Sequence, residues 1–403
     1  MTAGHRLLTR VALRNYKSIA ACDVTPANLC FLVGPNGSGK SNFLDALRFV
    51  RDSLRHSIDH ALRDRGGIND VRRRSSGHPT HFGIRVEVDL EESHGHYAFT
   101  VGAKRPGGYE VQREECLVVP RDGGDSDHYR VEKGEVRKSS LLVGPVATPD
   151  RLYLVSVSGH MSFRRVYDAL STLGFYNLNP QEIRQPQPPD PGELLSRDGS
   201  NIASVLSNLS TRSPDAQARI EDYLSSVVPG IAGVARKMAG PRETLEFRQE
   251  VRGAKHPWKF EANNVSDGTL RALGILVAVF QGAGNGRAMP GLVGIEEPEV
   301  ALHPAAAGVL IDSLRDAAER IQILVTSHSP DLLDDEEISA DSILAVRAEH
   351  GESRIGPLDE AGRSALREHM FTAGELLRID QLDPDPALSN PKPSQIRLFG
   401  SEP

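Results

Sequence analysis

Apolar and polar positions alternate early in the chain, at Leu8, Val11, Leu13 and Ile19, and then close up into the unbroken run Leu29-Cys30-Phe31-Leu32-Val33. The alternation predicts half-buried strands, and the run predicts a short strand buried on both faces. Past residue 40 the period changes: Phe43, Leu44, Leu47 and Val50 recur at helical spacing. Alternation returns over 82–90, 96–101 and 109–119, with Gly and Pro turns between, which predicts an antiparallel sheet layered on the first elements. Residues 151–157 read as one more strand, returning to the core. Over 161–230 helix and loop mix; Pro180, Pro186, Pro188, Pro189 and Pro191 exclude a long coiled coil, and helical spacing resumes at 202–209 and 216–228. Short strands follow over 231–262, then an apolar helix at 270–280 and buried strands ending near Ile295 and Val325. The last part offers strands at 343–347 and 353–357 and a helix at 359–369. These patterns divide the chain into an N-terminal lobe over 1–160, a helical, proline-rich insertion over 161–230, a C-terminal lobe over 231–380 and a flexible tail over 381–403.

Between the buried strand and the first helix lies Gly34-Pro35-Asn36-Gly37-Ser38-Gly39-Lys40-Ser41, which fits G-x-x-x-x-G-K-[ST] at every position. In a strand–turn–helix context the glycines let backbone N–H groups converge on phosphate, and the helix N-terminus adds its positive end. The motif predicts that Lys40 reaches the β and γ phosphates of ATP and that the Ser41 hydroxyl holds Mg²⁺. Upstream, Asn15 and Lys17 lie in a polar stretch between two strands, where they serve either as base or phosphate contacts or as an ordinary strand end.

Composition changes this picture in two places. The three cysteines (Cys22, Cys30, Cys116) show neither ligand spacing nor a disulfide framework, and no apolar run approaches the ~20 residues of a membrane span. The chain therefore reads as cytoplasmic, with no membrane partner. The net charge of −7 is uneven: the first 80 residues hold 13 Lys and Arg against 6 Asp and Glu, the remainder 34 against 48. Arg48, Arg51 and Arg55 share a helix face and suit solvent. Arg63, Arg65 and the run Arg72-Arg73-Arg74 after Gly66-Gly67 suit either solvent or a loop that meets DNA phosphate or an acidic partner.

Further signals lie beyond residue 260. Ser266-Asp267-Gly268 precedes the apolar helix, offering a hydroxyl, a backbone N–H and a helix dipole to phosphate, although the same residues suit a helix cap. Leu292-Val293-Gly294-Ile295-Glu296-Glu297 delivers paired carboxylates at a strand end, Glu296 on the Mg²⁺ side and Glu297 to orient water. His303-Pro304 opens a helix, and 321–327 form a buried strand ending in His328, placed to sense the γ-phosphate. Ser266 and Gly268 lie 29 and 27 residues before Ile295, and His328 lies 31 after Glu297.

In that order the motifs resemble those of the ABC-type ATPases of recombination-repair and chromosome maintenance. More closely, the chain is similar to the ATPases called AAA-type 21, relatives of the overcoming-lysogenisation-defect nucleases. Specific motifs carry the resemblance over 6–50 and 262–330. A looser likeness extends to Arg65-Gly66-Gly67, to Phe175-Tyr176-Asn177-Leu178-Asn179-Pro180 and to Asp198-Gly199-Ser200-Asn201. It implies an α/β fold, an ABC-type P-loop ATPase head with a mixed core sheet, an antiparallel β lobe and a helical insertion. It also implies a head-to-tail homodimer, or a higher oligomer built from it, around two ATP molecules. Lys40, Ser41, Glu296, Glu297 and His328 of one copy would face Ser266 and Gly268 of the other. Two positions depart from the pattern: Asp267 stands for a glycine, and Glu296 for the usual aspartate. The glutamine that completes Mg²⁺ coordination has no motif here; Gln112 and Gln181 are its candidates.

Related nucleases carry a TOPRIM domain after the sensor histidine. The only matching acids here, Asp383-Pro384-Asp385, enclose a proline, so no in-chain nuclease is expected. The acidic run 334–337 reads as a solvated helix start. The expected activity is ATP hydrolysis, used as a switch over a separately encoded effector such as a nuclease, in anti-phage defence. The alternative is a DNA-repair or maintenance ATPase that binds duplex DNA itself through the arginine segment.

Overall fold

The computed structural model describes residues 6–75, 79–104, 107–282 and 290–400. The fold is organised around a six-stranded sheet in the order Glu352–Pro357, Ile343–Glu349, Leu29–Val33, Gln322–Ser327, Leu292–Glu296, Gly174–Tyr176. All neighbours are parallel except the first pair, an antiparallel hairpin at the edge. Its central strands, Leu29–Val33 and Gln322–Ser327, are apolar at consecutive positions because both faces are covered. Cys30 and Leu32 join the core cluster on one face with Leu292, Leu324 and Leu344. Phe31 and Val33 join the opposite cluster with Val293, Ile295, Ile323 and Val325. Successive side chains of one strand thus feed two cores.

Helix Lys40–Arg55 covers the first face through Phe43, Leu44, Leu47, Val50 and Leu54. Beyond it lies the seven-stranded antiparallel sheet, in the order Ile19–Val24, Leu8–Tyr16, His81–Asp89, Ser93–Ala103, Tyr109–Pro120, Asp127–Glu132, Glu135–Ser139. Phe49 locks helix to sheet, meeting Phe82 edge-on at 5.3 Å between ring centres, and Phe82 meets Tyr16 at 5.6 Å. The other face is covered by the apolar helix Asp267–Phe280, by helices Ile202–Arg212 and Pro214–Val227, and by the small sheet Ile231–Ala239, Arg242–Gln249, Trp258–Glu261. Among the described residues no helix is long and apolar enough to cross a membrane.

Three local expectations are corrected. Residues 151–157 are not a strand: Tyr153–Val157 is a short helix. Its first amides, of Tyr153 and Leu154, donate to the buried Glu114 carboxylate at 2.6 and 2.8 Å, a tertiary contact that overrides the β-branched composition. The 334–337 run forms turns rather than a helix start, because its acids are taken by partners: Asp334 by Thr372 and Arg378, Asp335 by Arg315. The tail docks as far as Gly400. Ile396 and Leu398 are buried against Ala12 and Ala21, the Arg113 guanidinium lies 4.1 Å above the Phe399 ring, and the Gly400 amide donates to Glu115 at 2.8 Å. Residues 401–403 lie outside the described residues. His303-Pro304 leads into a 3₁₀ turn, Pro304–Ala306, before helix Ala307–Ala318.

Candidate nucleotide site

The register Val33↔Ser327 and Glu296↔Thr326 brings three strand ends level: the glycine loop, the paired acids and His328. Ligands of open parallel sheets bind at such carboxyl ends. The glycine loop is held by its neighbours. Gly39, at the N-cap of helix Lys40–Arg55, has φ 105°, and a Cβ there would lie 1.9 Å from the Ser353 hydroxyl, so both backbone and space require glycine. Ser353 and Asn42 meet the Ser18 hydroxyl, each at 2.6 Å, which ties the loop to the edge hairpin and the first β-turn.

Lys40 is buried, and its ammonium donates to the carbonyls of Gly34 at 2.8 Å and Pro35 at 3.0 Å. Burial pulls its pKa below the ordinary lysine value, and the charges of Glu297 and Glu299 oppose that. The Ser38 hydroxyl is 1% exposed and has no hydrogen-bond partner. A lysine parked on loop carbonyls beside an orphaned buried hydroxyl fits a cradle for a phosphate chain. Ser41 is exposed and lines a cleft of about 170 Å³ together with Lys17, Asn42, Arg197 and Glu296. Asn15, Gln112 and Gln181 are not among the cleft's lining residues.

The acids take different places. Glu297 sits in left-handed backbone (φ 45°), pinned by its amide to the Thr326 carbonyl at 3.0 Å, and its carboxylate lies 3.3 Å from His328 Nδ1. A non-glycine residue held in this region marks a conformation that the surroundings impose. Glu296 is paired with Arg197 at 2.7 Å. Glu299, a residue the sequence reading passed over, accepts from the Ser327 hydroxyl at 2.7 Å and the His328 amide at 3.2 Å, and its second oxygen is buried without a partner. It ties the acid loop to the histidine strand.

Ser266 caps helix Asp267–Phe280, its hydroxyl accepting from the Thr269 amide at 3.2 Å. Asp267, in the place of a glycine, pairs with Arg184 at 2.5 Å. Gly268 meets the loop after the acids: a Cβ there would lie 2.5 Å from the Ala301 carbonyl. The cleft that contains Ser41 and Glu296 is lined by neither Ser266 nor Gly268, and by none of Lys40, Glu297 and His328. Further along the same helix, buried Arg271 donates to the carbonyls of Leu178 (2.9 Å), Glu296 (3.3 Å) and Glu297 (2.9 Å). It couples the Ser266 turn to the acid loop of its own chain. An arginine inside an otherwise apolar helix was the available signal for it.

The arginine segment differs most from expectation. Arg65 is 2% exposed at its side chain and reaches Asp45 and Asp52, each at 3.0 Å, under a cation–π contact with Phe49. It cannot contact DNA or a partner: two aspartates in the helix interior required a buried cation. Arg73 pairs with Glu352, Arg74 with Asp70 and Arg63 with Asp59, while Arg72 donates to the Pro79 carbonyl at 2.7 Å. Asn15, near the end of strand Leu8–Tyr16, and Lys17, in the turn before Ile19–Val24, both adopt left-handed backbone. Asn15 accepts from the Arg73 amide, and Lys17 pairs with Asp45 at 2.6 Å on the wall of the cleft.

The Asp45 cluster sets a pH dependence. Burial alone would raise the Asp45 carboxyl, but Arg65, Lys17 and Arg48 hold it down to about 2 from an ordinary 3.8. A depressed carboxyl contributes stability that is present above the unfolded pKa and lost as pH falls through the folded one. Thermal unfolding is therefore expected to lose stability as pH falls from about 4 toward 2, with this part of the loss absent in Asp45→Asn, which is less stable at neutral pH. An unchanged acid limb in that variant would refute the assignment.

Three parallel strand ends carrying a phosphate loop, paired acids and a histidine, with an antiparallel sheet on one side and a capped apolar helix on the other, define the head of an ABC-type P-loop ATPase. The chain belongs to the AAA-type 21 family ("AAA domain, putative AbiEii toxin, Type IV TA system"), whose model matches residues 29–334. Its fold is similar to that of an Smc head bound to the C-winged helix domain of ScpA (TM-score 0.54, 14% identity, 89% of this chain and 99% of that one). It is also similar to a Pyrococcus furiosus Smc head with an extended coiled coil, bound to the C-terminal domain of ScpA (TM-score 0.52, 12% identity, 90% and 99%). Among the described residues here, no helix exceeds the 16 of Lys40–Arg55. In sequence, 118 residues are 51% identical to the Structural maintenance of chromosomes protein 4 of Dictyostelium discoideum, covering 28% of this chain and 8% of that protein.

Proposed function

We propose that the chain is an ATP-hydrolysing switch in which two copies close head to tail around two ATP molecules. Hydrolysis would then reopen the pair. The observation that carries this reading is the gathering of Lys40, Ser41, Glu296, Glu297 and His328 at one set of strand ends, while Ser266 stands at the N-cap of a separate helix on one face of the sheet. That helix N-terminus would be offered to the partner's phosphate.

The residues divide the work. Lys40 would leave the carbonyls of Gly34 and Pro35 and, with the loop amides and the Ser38 hydroxyl, donate to phosphate oxygens. Ser41 and Glu296 would hold Mg²⁺, which when bound neutralises charge on the phosphates. Among the described residues no cluster of three or more His, Cys, Asp or Glu could cage a metal, so these two would hold it with the phosphates. Glu297, fixed at its amide and facing His328, would orient and deprotonate the attacking water. Glu299 would keep His328 in place, and Arg271 would carry the state of the Ser266 turn to Glu297. We assign the nucleotide lobes to 1–160 and 231–380, and the coupling to the insertion over 161–230.

The output would pass to a separately encoded effector, a nuclease among the candidates, in anti-phage defence. The family description supports a paired system, because a toxin–antitoxin module acts with a cognate partner. Direct duplex binding through the arginine segment loses Arg65, which is buried on Asp45 and Asp52, and Arg73, which pairs with Glu352, while Arg63, Arg72 and Arg74 remain as the candidates for it. The closure is tested by light scattering with a non-hydrolysable ATP analogue and Mg²⁺: the mass is expected to double, and to stay single for Ser266→Arg. An unchanged wild-type mass with analogue bound would overturn the head-to-tail reading.

A further inference from the structure

Arg197 stands in the cleft with no role in the reading above. Its guanidinium pairs with Glu296 at 2.7 Å and shares the cleft wall with Ser41 and Lys17. Its backbone is fixed from several sides. The Arg197 carbonyl accepts from the Asn177 amide at 2.9 Å, and the Asp198 carbonyl accepts from the Asn179 amide at 3.0 Å. The Ser196 amide donates to the Asn201 side chain at 2.8 Å, and the Gly199 carbonyl accepts from Gln187 at 3.2 Å. Asn177 follows directly on the edge strand Gly174–Tyr176, whose register (Ile295↔Tyr176) sets it beside Glu296. The segment is therefore anchored to the strand next to the acids, while the side chain itself is 43% exposed and can swing.

We propose that Arg197 is a phosphate-binding residue of the nucleotide site, held on Glu296 until a metal takes that carboxylate. A guanidinium stays charged at any working pH, so it cannot answer an incoming cation by losing its proton. Were Ser41 and Glu296 to hold a divalent ion, the Glu296 carboxylate would face two cations, and Arg197, whose exposed side chain is free to turn, would be the one to leave. With its backbone anchored, Arg197 can only redirect its side chain; Asp45, the other carboxylate of the cleft, is already held by Lys17, Arg48 and Arg65, so the anion left for it is a phosphate, which a guanidinium can meet with two hydrogen bonds. Because the anchoring segment belongs to the helical insertion, this contact links the insertion to the state of the nucleotide.

This inference rests on the nucleotide site proposed above, and the experiment separates the two. Binding of a fluorescent ATP analogue at saturating Mg²⁺ is measured for the wild type, Arg197→Ala and Arg197→Lys, with thermal unfolding as the control for folding. Arg197→Ala is expected to bind about tenfold more weakly, the loss of roughly one charge-assisted hydrogen bond, with Arg197→Lys between the two. The Mg²⁺ concentration needed for binding should fall in Arg197→Ala, since Glu296 has lost its competitor. Repeating the series with an ADP analogue assigns the contact: equal weakening points to the β-phosphate, and weakening for ATP alone to the γ. No binding by the wild type would overturn the nucleotide site itself. Wild-type binding with both variants within twofold of it, or binding tighter, would overturn only the role of Arg197.

Discussion

Glu297→Gln is expected to cut steady-state ATP hydrolysis by about 10²- to 10⁴-fold, the span that a lost general base produces, while ATP binding persists and the closed dimer accumulates. The substitution keeps the shape of the side chain and removes its charge and its capacity to accept a proton. The backbone should hold, because the left-handed turn at 297 is pinned by its amide to Thr326 and by Arg271 at its carbonyl, neither of which involves the carboxylate. Binding should tighten rather than weaken. Glu297 is one of two acids whose charge bears on Lys40, and its neutralisation removes repulsion toward phosphate from the place where phosphate must sit. Turnover by single-turnover and steady-state assays, with light scattering for the dimer, reads both effects. Unchanged turnover would remove Glu297 from the mechanism, and loss of nucleotide binding would make its role structural.

The nucleotide half of this site was legible because its chemistry leaves few choices. Phosphate needs converging amides and therefore glycines, a lysine at a fixed offset, and acids at the end of a neighbouring buried strand. What the sequence hid is the choice among partners. Arg65 and Arg73 look alike in a charge count, but Asp45 and Asp52, on helix Lys40–Arg55, draw one into the interior, and Glu352, far away in sequence, draws the other. Residues 153–157 carry strand-like side chains and become helical because Glu114, some forty residues away, captures two of their amides. The tail reads as loose because its anchors, Ala12, Ala21 and Glu115, belong to another part of the chain. Arg197, Arg271 and Glu299 stayed out of sight for a related reason. Each acts on the backbone or carboxylate of a motif residue rather than within a motif of its own. Two of them left a trace: Glu299 as a third acid just past Pro298, and Arg271 as an arginine in an otherwise apolar helix.

Mixing two inactive variants, Lys40→Ala and Ser266→Arg, is expected to restore about one quarter of wild-type turnover at equal amounts, since half of randomly formed dimers are hybrids and each hybrid has one intact site of two. The two lesions differ in kind. Lys40→Ala empties a buried position whose ammonium holds the loop carbonyls, so that chain's own cradle fails. Ser266→Arg removes a cap worth about 1 kcal/mol to its helix and places a bulky cation where the partner's phosphate would sit. In a hybrid one site carries both lesions and the other carries neither. Recovery requires that Ser266 serve the opposite chain. If Ser266 only caps its own helix, the Ser266→Arg chain would be impaired by lost stability, and added Lys40→Ala chains could not repair it. Turnover of the mixture, compared with each variant alone at the same total concentration, decides between the two. Recovery that rises with the hybrid fraction and vanishes when Glu297→Gln is added to the Ser266→Arg chain would locate the working site in the chain that keeps Lys40.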